Sequence, residues 1–255
     1  MFESDHWLDR LGEVRCGWSD AKTDVKAGAA FAKRRPSFST SPAATNAANN
    51  RRMTILLVRH GETDGNAARV LQRPEVPLNE RGRHQAERLA RRLHAYGFVR
   101  ILCSDLLRAR MTAAPLAARS GIEIEESPLL QERNFGDLRG LPYAALDEDP
   151  FGPDVAPPNG EDWPTFHARV EAAFAFIVDS RRRVDGAVVV VTHGLVCRAV
   201  VERHALLPQG TVVPERFDNA GLTVLHEHVP HGVSVVNCTQ HLVASSDPDP
   251  TAGLA

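Results

Sequence analysis

Two histidines in this chain stand in the same kind of place. His60 follows the run Ile55-Leu-Leu-Val58 and Arg59 and precedes Gly61. His193 follows Ala187-Val-Val-Val-Val191 and Thr192 and precedes Gly194. A short run without polar residues reads as a strand buried on both faces, the kind found inside a parallel sheet. Open α/β sheets place ligands just beyond the carboxyl ends of such strands, so both histidines would sit at one edge and share one pocket. An imidazole there suits nucleophilic attack on phosphorus, and the Arg59 guanidinium suits bidentate neutralisation of phosphoryl oxygens. For a lone Arg-His-Gly the plainer alternative is a satisfied structural histidine beside a surface arginine. Its recurrence as His-Gly at a second strand end favours chemistry.

Those strands need helices to hold them. Pro77-Leu78-Asn79-Glu80 reads as a helix start with Asn79 as N-cap, and Ala86, Leu89, Ala90, Leu93 and Tyr96 recur at helical spacing. Phe98 to Cys103 predicts a second strand. Ser104-Asp105 is expected to cap the next helix, with Arg108 in its first turn near backbone N–H groups that favour anions, and Pro115 to kink or end it. Ile122 to Glu125 alternates as a short strand, and Leu138 to Asn159 is a loop-rich excursion. Trp163, Phe166, Val170, Phe174 and Ile177 mark a long amphipathic helix whose stripe belongs to the core. A helix through Leu195, Val196, Ala199 and Val200 follows His193, and late strands are expected at Leu222 to His226 and Val233 to Leu242. This alternation predicts an α/β three-layer sandwich with a mainly parallel central sheet flanked by helices.

Composition bounds the function classes. A chain of 255 residues, 43% hydrophobic, can bury one sizeable core. Its formal net charge of -2 gives no general attraction to nucleic acid or an anionic membrane, and no apolar run approaches a membrane span. Residues 1–5 lack the pattern of a secretory signal, so a cytoplasmic protein is expected. Cys16, Cys103, Cys197 and Cys238 are far apart. The last three lie in apolar or strand-like surroundings and read as small buried hydrophobes in a reducing compartment. Residues 1–52 differ from the rest. They hold one weak helical pattern at Leu8, Leu11 and Val14, then Ala-, Ser-, Asn- and Thr-rich stretches with a basic Lys33-Arg34-Arg35. Such a segment cannot bury enough surface to offset its ordering entropy. The expected organisation is a disordered, dispensable extension over 1–52, one domain over 53–245 opening at Met53, and a frayed tail over 246–255.

Several ordered motifs then coincide: Leu57-Val-Arg-His-Gly-Glu-Thr63, Asn66, Pro77-Leu-Asn-Glu-Arg-Gly82, Ser104-Asp-Leu-Leu-Arg-Ala-Arg-Met-Thr112, Gln131-Glu-Arg-Asn-Phe-Gly136, Asn159-Gly-Glu161 and Val191-Thr-His-Gly194. From about Met53 to Leu242 the chain resembles the histidine phosphatase superfamily, which includes the cofactor-dependent phosphoglycerate mutases. The resemblance implies that His60 becomes phosphohistidine and that Arg59, Arg108 and His193 hold the phosphoryl oxygens. It also implies that Asn66 adds a hydrogen bond and that Glu132 acts as general acid, then base. Chemistry is consistent with that division. Phosphoryl transfer needs positioning and charge neutralisation, which cationic side chains supply without a metal. One carboxyl can serve both half-reactions, and a nucleophilic His60 is expected to hold its other N–H on a backbone carbonyl.

Alternatives stay beside these roles. Glu132 next to Arg133 can be a surface ion pair, and Arg110 and Thr112 are expected to pack or cap. His226-Glu-His228 resembles a metal pair with nothing to complete it. The segment 141–167 contains no Lys or Arg, so a second anionic group on the substrate finds no cation there unless Arg133, Arg139 or the tail supplies one. That favours hydrolysis of a small phosphorylated metabolite, without metal or cofactor. The alternatives are a cofactor-dependent phosphoglycerate mutase and a non-catalytic module that binds phosphorylated ligands.

Overall fold

The structure, a computed structural model, describes residues 54–243. The extension expected over 1–52, its helical pattern at Leu8, Leu11 and Val14, and the tail expected over 246–255 lie outside the described residues. Seven strands form one sheet: β1 (Thr54–Arg59), β2 (Arg100–Cys103), β3 (Ile124–Glu126), β4 (Val188–Thr192), β5 (Ala205–Leu206), β6 (Leu222–His226) and β7 (His231–Cys238). Their order is β3-β2-β4-β1-β6-β7-β5. Among these strands, only β1 with β6 and β6 with β7 pair antiparallel. The helices are α1 (Asp64–Ala67), α2 (Glu80–Tyr96), α3 (Leu107–Ser120), α4 (Trp163–Arg182) and α5 (Gly194–His204).

β1 and β4 run side by side in parallel, with Arg59 opposite Thr192. The next residues, His60 and His193, therefore leave the sheet at the same edge. Both strands are apolar because both faces are covered. Ile55, Leu57, Val188 and Val190 pack with Phe166, Val170, Phe174 and Ile177 of α4 and with Val196 and Val200 of α5. The alternate residues Leu56, Val58, Val189 and Val191 are equally buried and point to the other face. There α2 and α3 pack on each other, using Ala86, Leu89, Ala90 and Leu93 from α2 and Ala109, Ala113 and Leu116 from α3. Each such valine or leucine contributes about 1.5–3 kcal/mol by leaving water. The result is the three-layer sandwich.

Local chemistry explains one motif. Asn79 caps α2 by accepting from the Gly82 N–H at 2.8 Å, while its own N–H and side-chain amide reach the carbonyl and carboxylate of Glu62, each at 3.0 Å. The loop after His60 thus rests on the start of α2, backbone against backbone. A Cβ on Gly82 would lie 2.0 Å from the Glu62 carbonyl oxygen, so no larger residue fits.

Several boundaries differ from expectation. β2 begins at Arg100 and β7 ends at Cys238, β3 is displaced by two residues at its start, and the short β5 was not foreseen. Pro115 does not end its helix, which runs on to Ser120 and stops at Gly121 in the left-handed conformation, φ 72°. Proline removes one N–H from the helical ladder, and burial of Ala109, Ala113 and Leu116 on the same helix outweighs that loss. Ser104 and Asp105 do not cap α3. Leu106 holds that position without a side-chain bond, because the Ser104 hydroxyl and Asp105 carboxylate are engaged by His193 and Gln131. His226 ends β6, so His226 and His228 do not share a strand face. Cys103, Cys197 and Cys238 are buried, as expected.

Candidate active site

His60 is 2% exposed and held from several sides. Its N–H donates to the Thr192 carbonyl at 2.9 Å, and its ring Nδ1 lies 2.7 Å from the Gly61 carbonyl oxygen. A carbonyl only accepts, so Nδ1 carries the proton and Nε2 keeps its lone pair. The Thr112 hydroxyl accepts from the Gly61 N–H at 2.9 Å and donates to the Arg108 carbonyl at 2.7 Å, fixing this turn to α3. Asn219 closes the other side: its amide donates to the His60 carbonyl at 3.1 Å and to Asn66 Oδ1 at 3.0 Å. Asn66 Oδ1 also accepts from the Thr63 N–H at 3.2 Å, which directs the Asn66 amide N–H groups away from Thr63.

His193 is fully buried, its ring centroid 5.1 Å from that of His60. Its Nε2 lies 2.8 Å from the Ser104 hydroxyl, and the Leu106 N–H donates to that same oxygen at 3.3 Å. The Ser104 proton is then free to go to Nε2, which leaves the proton of His193 on Nδ1. Nδ1 is buried without a partner among the described residues, as are Nε of Arg59 and Nε of Arg108. Arg59 is oriented by the Phe217 carbonyl and lies over Gly194, where a Cβ would be 3.4 Å from its Nε. Arg108 is anchored through Nη1 to the Arg73 carbonyl at 3.1 Å.

Glu132 accepts from its neighbour's N–H (Arg133) at 3.0 Å and, through Oε2, from Leu195 N–H in the first turn of α5 at 3.3 Å. The carboxylate is thereby tied to the helix that follows His193. No ion pair with Arg133 forms. The Arg133 guanidinium turns away, is 1% exposed, donates to the carbonyls of Pro150, Val155 and Glu161, and stacks 4.0 Å from the Trp163 ring. Arg133 is therefore not available to a ligand; it holds down the excursion. Arg110 pairs with Glu126 at 3.2 Å, away from the pocket.

Electrostatics favour a neutral imidazole beside fixed cations. Burial, then repulsion from Arg108 and Arg59, holds the pKa of His60 well below the usual imidazole value, against the opposing Gly61 hydrogen bond. Burial and the same arginines depress His193 similarly, with His60 adding to the effect. Burial lowers the Arg108 pKa to about 10, so it remains charged at neutral pH. Among the described residues no group of three or more His, Cys, Asp or Glu is placed to hold a metal ion.

The model of the histidine phosphatase superfamily (branch 1) matches residues 55–238. The chain belongs to that superfamily. It is 37% identical over 163 residues to phosphoglycerate mutase-like protein 4 of Arabidopsis thaliana, spanning 58% of this chain and 70% of the relative. Among solved structures, Bacillus stearothermophilus YhfR superposes with a TM-score of 0.65 at 28% identity, over 74% of this chain and 98% of that one. A mycobacterial glucosyl-3-phosphoglycerate phosphatase, solved with VO3, superposes with a TM-score of 0.63 at 28% identity, over 73% of this chain and all of that one (100%).

In this histidine phosphatase the residues singled out by sequence, Arg59, His60, Asn66, Arg108, Glu132 and His193, come from five separate segments to one sheet edge. The positioning residues were harder to find. Asn219 lies 159 residues from its partner His60 in a stretch with no motif. Arg169 reads in sequence as one more arginine on a helix surface. In the fold its guanidinium bonds Glu161 and the carbonyls of Leu129, Gln131 and Glu132. No helix among the described residues is long and apolar enough to cross a membrane.

Proposed function

We propose that the chain hydrolyses phosphomonoesters of small metabolites through a phosphohistidine on His60. The supporting observation is that a buried imidazole with a free Nε2 is grouped with three buried donors that lack protein partners: Arg59 Nε, Arg108 Nε and His193 Nδ1. Donors of this kind are suited to the equatorial oxygens of a phosphoryl group, and the Asn66 amide adds another. In the first step Nε2 attacks phosphorus and the P–O bond breaks. The leaving oxygen takes its electron pair and receives a proton from Glu132. In the second, water attacks phosphorus, gives a proton to Glu132 and releases inorganic phosphate as the P–N bond breaks. A mutase would instead pass the phosphoryl to a second substrate hydroxyl. The segment 141–167 has no Lys or Arg to grip such an acceptor, and Arg133 is buried against its carbonyls. A pure binding module would not need Glu132 tethered beside His193.

The test is turnover of p-nitrophenyl phosphate by the full chain and by His60→Ala, with mass spectrometry of acid-sensitive phosphopeptides after rapid quench. We expect inorganic phosphate release, an adduct on the peptide containing His60, and loss of both in the variant. A folded variant with near-normal turnover would overturn the proposal.

A further inference from the structure

One loop, residues 216–221 just before β6, touches three parts of the site. The Phe217 carbonyl accepts from the Arg59 guanidinium. The Ala220 N–H donates to the Arg59 carbonyl at 3.0 Å and to the His60 carbonyl at 3.1 Å. Asn219 reaches both His60 and Asn66. Asn237 in β7 holds the loop from behind: its Oδ1 accepts from the Asp218 N–H at 2.7 Å, and its amide donates to the Asp218 carboxylate at 3.0 Å. A Cβ on Gly221 would lie 2.3 Å from Asn237 Oδ1, so loop and strand meet there without a gap.

The partners decide which way each amide faces. The Asn219 atom 3.1 Å from the His60 carbonyl oxygen faces a group that only accepts, so it is the nitrogen. The Asn66 atom 3.0 Å from that nitrogen also faces the Thr63 N–H at 3.2 Å, a group that only donates, so it is the oxygen. The Thr63 hydroxyl is not a dependable third donor, because its single proton has a nearer acceptor in Gln72, at 2.8 Å against 3.1 Å to Asn66. Asn66 Nδ2 is left without a partner among the described residues.

We propose that Asn219 is a positioning residue for phosphoryl transfer: it sets the Asn66 amide so that N–H, and not a lone pair, faces the phosphoryl oxygens. The inference rests on the hydrolase reading, which puts the phosphoryl group on His60 beside Asn66. A turned Asn66 amide would present Oδ1 to those oxygens, and two acceptors repel. The two protons of the Asn219 amide go one to the His60 carbonyl and one to Asn66 Oδ1, so a single group ties the orienting contact to the nucleophile's own backbone. When Asn219 is replaced, the His60 carbonyl keeps the Ala220 N–H, and the loss falls on Asn66.

Two substitutions test this in the full chain. Asn219→Asp keeps the shape, but a carboxylate has no N–H for Asn66 Oδ1 and accepts from Nδ2 instead, which favours the turned amide. Asn219→Leu removes the donor without adding an acceptor or a charge. Each is made alone and together with Asn66→Ala. kcat/KM for p-nitrophenyl phosphate and the Kd of orthovanadate are measured, with the melting temperature as a control for folding. We expect Asn219→Leu to lose several-fold in both, and Asn219→Asp about tenfold to a hundredfold, the range for one charge-assisted contact. Most of each loss should vanish in the Asn66→Ala background, because Asn219 acts through Asn66. In ¹⁵N NMR spectra the Asn66 side-chain NH2 pair, identified by its absence from Asn66→Ala, should move when orthovanadate is added to the parent and stay in place in Asn219→Asp. Losses as large without Asn66 as with it would make Asn219 a merely structural or electrostatic residue and overturn the proposal. An Asn66 pair that orthovanadate does not move in the parent would overturn it as well. An Asn66 pair that moves in a parent without turnover would keep the positioning role and sink the hydrolase reading instead.

Discussion

Arg169 and Glu161 are joined by two hydrogen bonds, Nε to Oε1 at 2.7 Å and Nη2 to Oε2 at 2.8 Å. The other N–H groups of Arg169 donate to the carbonyls of Leu129 and Gln131 at 2.9 and 2.7 Å and to that of Glu132 at 3.3 Å. Glu161 Oε2 in turn accepts from the Asn134 N–H at 2.8 Å. One ion pair therefore fixes the backbone on both sides of Glu132. Burial alone would raise the pKa of Glu161, but the bonds from Arg169 and Asn134 outweigh it and hold the carboxyl below the usual range. Glu161 is thus a poor candidate for the proton donor.

Removing one partner leaves the other charge with little solvent, since the side chains are only 18% and 14% exposed. Arg169→Met should destabilise the fold by about 3–5 kcal/mol, the range for a broken buried pair. Arg169→Lys keeps the charge but not the planar fork. It should retain most of the melting temperature while lowering kcat more than it raises KM. An unchanged kcat in a folded Arg169→Lys protein would show that this clamp does not position Glu132.

The role of Glu132 is read from the leaving group. Glu132→Gln keeps the shape and removes the proton. It should slow an alkyl phosphate by about 10²–10⁴, the usual worth of general acid catalysis. p-Nitrophenyl phosphate should suffer much less, because nitrophenolate leaves unprotonated. Equal losses for both substrates would assign Glu132 to positioning alone.

The strands were legible because double-sided burial leaves no place for a polar residue between Ile55 and Val58 or between Val188 and Val191. The same pattern located His60 and His193, and chain order placed Arg108 at the start of α3. Geometry with no local signature was not legible. Arg133 and Arg169 have the same residue type and both stand near Glu132. One is spent on carbonyls of the excursion and the other on the backbone around Glu132, a division set by contacts 17 to 40 residues away. Ser104 looked like a cap because its type and place suit one, yet the histidine from β4 claims its hydroxyl. Pro115 shows the same override, with packing deciding where its helix stops.

Chelation offers a further check. The proposed charge neutralisation comes from Arg59 and Arg108, and no cluster of metal-binding side chains occurs among the described residues. Phosphatase activity should therefore survive prolonged dialysis against EDTA within experimental error. Loss of activity that returns with a divalent ion would require a ligand set outside the residues named here.

The two buried histidines of the site share the acid side of the stability curve with His167, His204, His226 and His241, which burial also depresses. His60 and His193 both have folded-state pKa values well below their unfolded value of 6.5, through burial and the facing arginines Arg59 and Arg108. Above pH 6.5 both states hold these rings neutral, and neither histidine contributes to the pH dependence. Below it the unfolded chain takes up protons that the folded chain refuses, so stability falls as pH falls. Each histidine adds a slope of up to about 1.4 kcal/mol per pH unit. The melting temperature should be flat from pH 8 to about 7 and then drop steadily toward pH 5. His193→Gln, which cannot titrate, should flatten that drop whatever its effect on stability at pH 8. Inorganic phosphate should raise the melting temperature by mass action if it occupies the cationic pocket. A variant whose acid slope matched the parent's would place the responsible protons elsewhere.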